Sequence, residues 1–226
     1  MTTATTAKAV PFRHNRFLHI CCLVFLVVWA GSGIHPVMPE DWWVENGLVF
    51  LFVGVLIATY RRLPLSELSY LLVLIYLSMH EWGAHYRYAI DPVGEWVRQL
   101  FHTTRNDFDR VTHFSYGLLM SYPLREVLLR KAGMRRWWAL WMPILIIGGF
   151  SAIYEIVEAA AAGILSKEAG DAFLALQGDP WDTQKDMLMA ILGSVVATCI
   201  NAVFARRQQA EPVAEKAGVT AVGVGN

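Results

Sequence analysis

The chain has 226 residues, enough for one domain or two at most. Its 55% apolar share exceeds the roughly 45–50% of ordinary soluble domains, only 17% of residues are charged, and the mean hydropathy is +0.39, so composition favours a membrane-embedded chain over a soluble one. The 19 basic and 19 acidic side chains cancel, which leaves no electrostatic footprint for nucleic acid or an acidic partner.

Residues 1–16 carry Lys8, Arg13 and Arg16 and form a cytoplasmic N-terminal segment. The first apolar run, Phe17 to Ile34, ends in Ala30-Gly31-Ser32-Gly33, a weak imitation of a signal-peptide cleavage site. The later runs give a consistent topology only when this one is kept as a span. They are Gly47 to Tyr60, Leu68 to Met79, Val111 to Leu124, Trp137 to Ile153 and Met187 to Phe204. A bilayer core needs roughly 20 helical residues, so several runs must recruit flanking amphipathic residues. Pro123 and Pro143 lie inside runs and are expected to kink or break their helices. Cys21, Cys22 and Cys199 show neither paired nor C-x-x-C spacing and read as small apolar helix residues. Residues 207–226 are small and polar without an apolar period, which predicts a disordered cytoplasmic tail.

Charge in the connections sets the topology. Arg61 and Arg62, then Arg130, Lys131, Arg135 and Arg136, then Arg206 and Arg207 join the basic N-terminus on the cytoplasmic side. The intervening connections are acidic or mixed. The expectation is an all-α, polytopic membrane bundle of about six spans over residues 17–206, with both termini inside. Trp42, Trp43, Trp82, Trp137 and Trp138 fall at span ends, where interfacial anchors belong. The segment from Gly94 to Phe101 reads as a short amphipathic helix on the outer surface.

Four spans carry a polar pair at their outer ends. Glu81 and His85 close the third, Asp109 and His113 open the fourth, Glu155 and Glu158 close the fifth, and Asp182 and Asp186 open the sixth. Separations of three or four residues put each pair on one helix face. Depth agrees as well, since Glu155 lies roughly 27 Å beyond Trp137 at about 1.5 Å per residue, near the far edge of a core about 30 Å thick. Ionisable groups at that depth cost energy unless they face the bundle interior or one another. Carboxylates and imidazoles from facing helices are also how bundles hold divalent metals. Oxygen and nitrogen donors without sulfur suit zinc, manganese, iron or magnesium. The ligand set expected from the residues is Glu81, His85, Asp109, His113, Glu155 and Asp186, with Glu158 or Asp182 as the catalytic base. N-terminal helix capping and ion pairs with Arg87, Arg98, Arg105 and Arg110 are the structural alternative. Glu126, at the cytoplasmic end of the fourth span with Arg125 and Arg130, reads as an interfacial ion pair, and Gly193 as a point of close helix approach.

His80-Glu81-Trp82-Gly83-Ala84-His85-Tyr86, Asp109-Arg110-Val111-Thr112-His113-Phe114, Tyr154-Glu155 with Glu158, and Gly178-Asp179-Pro180-Trp181-Asp182-Thr183-Gln184-Lys185-Asp186-Met187 together resemble the YjdF-like family of bacterial inner-membrane proteins, defined as a domain of unknown function. The resemblance runs from about Phe17 to Phe204 and implies a multi-pass protein of the bacterial inner membrane. A more distant similarity is to VanZ-like membrane proteins, whose outline Asp109 and His113, Glu155 and Glu158, and Asp182, Asp186 and Gly193 follow in order. Ala190 stands where that pattern has Asn. Neither resemblance brings a reaction with it. The residues themselves point to a metal-dependent membrane hydrolase or transferase acting on lipid or envelope precursors. A proton- or cation-linked transporter and a non-catalytic scaffold are the alternatives, and the oligomeric state is left open.

Overall fold

In a computed structural model, residues 11–164, 170–171 and 173–221 are described, with side chains described as far as Phe204. Lys8 and residues 222–226 of the expected tail lie outside them. Among the described residues the chain is helical and without strands. A 3-10 turn at Phe12–His14 leads into α1 (Arg16–Ser32), then α2 (Pro39–Thr59), α3 (Glu67–Tyr86), α4 (Pro92–Phe101), α5 (Phe108–Arg130), α6 (Arg136–Ala162) and α7 (Asp182–Ala221).

Local chemistry explains where the helices start. The Asn15 side chain accepts from the Leu18 amide (3.0 Å) to cap α1, and Pro39 and Pro92 occupy the first turns of α2 and α4, where a missing N–H costs nothing. The Asp91 carboxylate caps α4 by accepting from the amides of Val93 (3.0 Å) and Gly94 (2.5 Å). α3 opens at Ser66, whose amide and hydroxyl both donate to Glu126 of α5 (2.9 and 2.8 Å), and the Ser69 hydroxyl adds a third bond (2.5 Å). Glu126 also pairs with Arg130, so it is the interfacial ion pair expected and an inter-helix cap as well.

Six long helices thus stand where the sequence shows six runs. α2, α6 and the Asp182–Phe204 part of α7 are long and apolar enough to cross a membrane by length and composition, and α1 is apolar but shorter. α3 and α5, of 20 and 23 residues, have spanning length and carry most of the polar pairs. Pro123 and Pro143 break neither helix; both are buried inside α5 and α6. α7 continues as helix to Ala221 where the sequence predicts disorder, because the tail's Ala, Gln, Glu and Lys residues are good helix formers.

α5 is the central element, lying against α3, α6 and α7, while α1 and α2 pack on α3. Close approach of α5 and α7 depends on two glycines. A Cβ at Gly193 would strike the Phe114 carbonyl, and one at Gly117 would strike the Ala190 carbonyl. Below this crossing the Ser121 and Ser194 hydroxyls bond each other (2.7 Å). Val49, Val73, Leu77, Met120, Ile147 and Ala190 form the apolar core. Outward-facing Leu23, Ile57, Leu145 and Ile156 are exposed, as a lipid-facing surface requires. Trp43, Trp137 and Trp138 are exposed at helix ends as expected, whereas Trp42 is buried between α1 and α2.

Candidate metal centre at one end of the bundle

Asp109 and His113 lie on the first turns of α5, Glu155 on the last turns of α6, and Asp182 and Asp186 on the first turns of α7. Because α5 packs against both partners, these five converge. Asp109, Asp182 and Asp186 each place one carboxylate oxygen within 4.8 Å of the others. The His113 Nε2 lies 3.4 Å from Glu155 Oε1 and 3.6 Å from Asp109 Oδ1. Glu155 and Asp186 are 5% and 3% exposed, and Glu155 Oε1 and Asp186 Oδ1 have no hydrogen-bond donor. A buried carboxylate oxygen without a donor is costly, so both oxygens call for a proton or a cation. Glu158, half-buried one turn beyond Glu155, has Glu45, Asp109, Glu155 and Tyr154 around it.

Asp182 has a different setting. Arg105 grips both its oxygens, Arg110 donates to Oδ1 (3.1 Å), and the residue is 1% exposed. Two guanidiniums thus occupy the Asp182 carboxylate, one of the two residues expected as base. Arg110 also donates to Asp179 (2.6 Å), which receives Lys185 (2.5 Å) and the Trp181 amide (3.0 Å). These donors, led by Lys185, hold the Asp179 carboxyl at about 2, well below its ordinary value. This arginine–aspartate lip realises the ion pairs expected for Arg105 and Arg110. Arg87 pairs with Asp41 (2.6 Å) and Arg98 with Glu95 (2.7 Å).

Glu81 and His85 do not join the five. Their shared face turns toward α1, where the Ser32 hydroxyl donates to Glu81 Oε2 (2.6 Å) and His85 donates from Nδ1 to the Ser32 carbonyl (2.7 Å). Trp42 Nε1 donates to the same hydroxyl (3.1 Å), and Asn46 of α2 accepts from Trp29 Nε1 (2.7 Å). Helix spacing shows which residues share a face but not which neighbour that face meets. The sequence reading also passes over Glu45 of α2, which is 6% exposed, accepts from the Tyr154 hydroxyl (2.7 Å) and lies 3.8 Å from His80 Nε2. Its four-residue spacing from Asp41 was the available signal.

A cavity of about 700 Å³ adjoins the lip, lined by Arg87, Ile90, Ala175, Gln177, Asp179 and Pro180. Arg87, Ala175 and Gln177 hold left-handed backbone at φ 57°, 52° and 49°. Non-glycine residues in that region are strained and concentrate at functional sites. Gln177 fixes one wall by exchanging two hydrogen bonds with the Asn106 backbone (2.9 and 2.8 Å).

Helices of spanning length with a buried, carboxylate-rich centre at one end define a polytopic membrane protein with a polar chamber. The chain belongs to the family described as predicted membrane protein (DUF2238), whose profile matches residues 17–207. It is similar to the inner membrane protein YjdF of Escherichia coli (strain K12), with 35% identity over 187 residues, which is 82% of this chain and 88% of that protein. The chain is accordingly an integral protein of the inner membrane. These matches do not show the VanZ-like similarity. No solved structure matches the chain.

Proposed function

We propose that the chamber binds a divalent cation and serves a hydrolase or transferase that acts on a lipid or envelope precursor at the outer leaflet. The observation that carries this is the pair of buried, donorless oxygens, Glu155 Oε1 and Asp186 Oδ1, beside the Asp109–Asp182–Asp186 triad and His113 Nε2. Hard divalent ions with oxygen bonds of about 2.0–2.6 Å can bridge donors spaced this way after small adjustments. Asp109, His113, Glu155 and Asp186 would hold the ion, and Arg105 and Arg110 anchor Asp182 beside them. A bound cation would supply Lewis acidity toward a phosphoryl or carbonyl oxygen or a more acidic water. Glu158, adjacent and without a cationic partner among the described residues, is placed to accept the proton.

A lipid substrate is supported by a cleft of about 530 Å³ lined by Val24, Leu74, Met79, Trp82, Val93 and Phe108. It is apolar, suits an acyl chain, and includes in its lining Phe108, the residue before Asp109 in the chain. The apolar core around Val73, Leu77, Met120 and Ile147 lies inward of the chamber, which favours a one-sided site over a conduit. Metal analysis of detergent-purified protein tests the proposal. The parent is expected to carry about one or more divalent ions per chain, and Glu155→Gln and His113→Ala, confirmed folded by gel filtration, to lose them. A parent that holds no metal after reloading with manganese, zinc, iron and magnesium would overturn it.

A further inference from the structure

Among the described residues α4 packs along no other helix, and its two faces differ sharply. At about 100° per residue, Val93, Trp96, Val97, Leu100 and Phe101 fall within an arc of about 140°. Val93, Trp96, Leu100 and Phe101 are 48%, 63%, 56% and 68% exposed. The opposite face is polar and closed on itself, with Arg98 donating to Glu95 (2.7 Å) and Gln99 donating to the same carboxylate (2.9 Å). Bulky apolar side chains left bare together on one helix face mark a contact with something apolar.

The surroundings identify the partner. Val93 lines the apolar cleft together with Val24 of α1 and Ile75 and Trp82 of α3. Those three are themselves 42%, 41% and 40% exposed, as lipid-facing side chains of a bundle are. The bare face of α4 therefore continues the lipid-facing surface. At roughly 1.5 Å per residue the helix is about 15 Å long, too short to span a bilayer. Its N-terminus is fixed to the end of the bundle: the fully buried Asp91 that caps it accepts from Trp82 Nε1 (2.6 Å), and the Asp91 carbonyl accepts from Asn106 Nδ2 (2.9 Å). Asn106 Oδ1 in turn accepts from the Phe108 amide at the start of α5 (3.0 Å). We infer that α4 lies in the membrane interface, with Val93, Trp96, Leu100 and Phe101 against the acyl chains of the leaflet at the chamber end and Glu95, Arg98 and Gln99 toward headgroups and water. This does not depend on a bound cation. The Asp91–Asn106 link then holds the first turn of α5, with Asp109, at headgroup depth, so that a lipid can present its polar end to the chamber without leaving the bilayer.

Nitroxide labels on the full-length chain in vesicles of phosphatidylethanolamine and phosphatidylglycerol test this. With Cys21, Cys22 and Cys199 replaced by Ser, single cysteines are placed by Trp96→Cys and Leu100→Cys on the apolar face, Gln99→Cys on the polar face and Thr104→Cys in the following loop. Power saturation then compares access of oxygen, which concentrates in hydrocarbon, with access of a water-soluble nickel chelate present on both sides of the membrane. A several-fold higher oxygen-to-nickel ratio is expected at positions 96 and 100 than at 99 and 104. Nickel access at 96 and 100 equal to that at 104 would place the face in water and overturn the inference. Exclusion of both oxygen and nickel from 96 and 100 would show protein covering the face and overturn the lipid partner. A high oxygen ratio at 99 as well would bury the whole helix in hydrocarbon and overturn its interfacial position. Trp96→Cys and Leu100→Cys report the same face independently, so either one decides the matter where the other fails to fold.

Discussion

Glu81 shows how a buried carboxylate can serve structure while lying near a reactive chamber. It is fully buried, and Ser32 is the donor to its Oε2, with Trp42 donating in turn to Ser32. Ser32→Ala removes that donor and breaks the chain linking α1, α2 and α3. Leaving a buried carboxylate oxygen unsatisfied costs about 1–3 kcal/mol or more, so a fall in melting temperature in detergent is expected. Bound metal in Ser32→Ala and in Glu81→Gln is expected to equal that of the parent, since Glu81 faces α1. Loss of metal in Glu81→Gln alone would return this residue to the ligand set. The contrast with Glu155 is physical: both are buried with one carboxylate oxygen lacking a hydrogen-bond partner, but Glu155 has the His113 imidazole opposite that oxygen, whereas Glu81 is tied to Ser32 of α1. A linear pattern of pairs four residues apart does not distinguish these surroundings. Glu45 was hidden for the same reason, as its partners His80 and Tyr154 come from α3 and α6.

At the level of elements, the chamber depends on how closely α5 and α7 approach. Gly117 and Gly193 each leave room for a backbone carbonyl of the other helix, and Ser121 bonds Ser194 farther along the same seam. Gly193→Leu must push the helices apart, at a cost of about 1–3 kcal/mol or more from overpacking. The same movement withdraws Asp182 and Asp186 from Asp109 and His113, so the variant is expected to lose stability and bound metal together. Unchanged metal content in a destabilised Gly193→Leu protein would show that the two helices do not build the site jointly. The glycine's role was legible in the sequence because small residues in a membrane helix have few other uses. Helix ends were less legible. α2 begins at Pro39, well before the apolar run at Gly47, because a proline and two acidic residues make a favourable first turn. α5 runs through Pro123 because a buried proline is tolerated where neighbouring helices surround it.

For the whole molecule, the sequence carried the number of long helices and the gathering of polar pairs at one end of the bundle, since both follow from where the apolar runs begin and end. It did not carry the order of helices around the bundle. Charge alternation assigns each connection to a side but is blind to which spans touch, and the central place of α5 emerges only from packing. The outer-leaflet proposal depends on orientation, because inversion would turn the Asp109–Asp186 chamber toward the cytoplasm. In a background with Cys21, Cys22 and Cys199 replaced by Ser, single cysteines at exposed positions report it. Glu40→Cys and Thr104→Cys are expected to react with a membrane-impermeant maleimide in intact spheroplasts, and Arg62→Cys and Lys131→Cys only after lysis. The reverse pattern would move the chamber to the cytoplasmic leaflet, and with it the substrate would have to be a lipid or precursor reached from inside the cell.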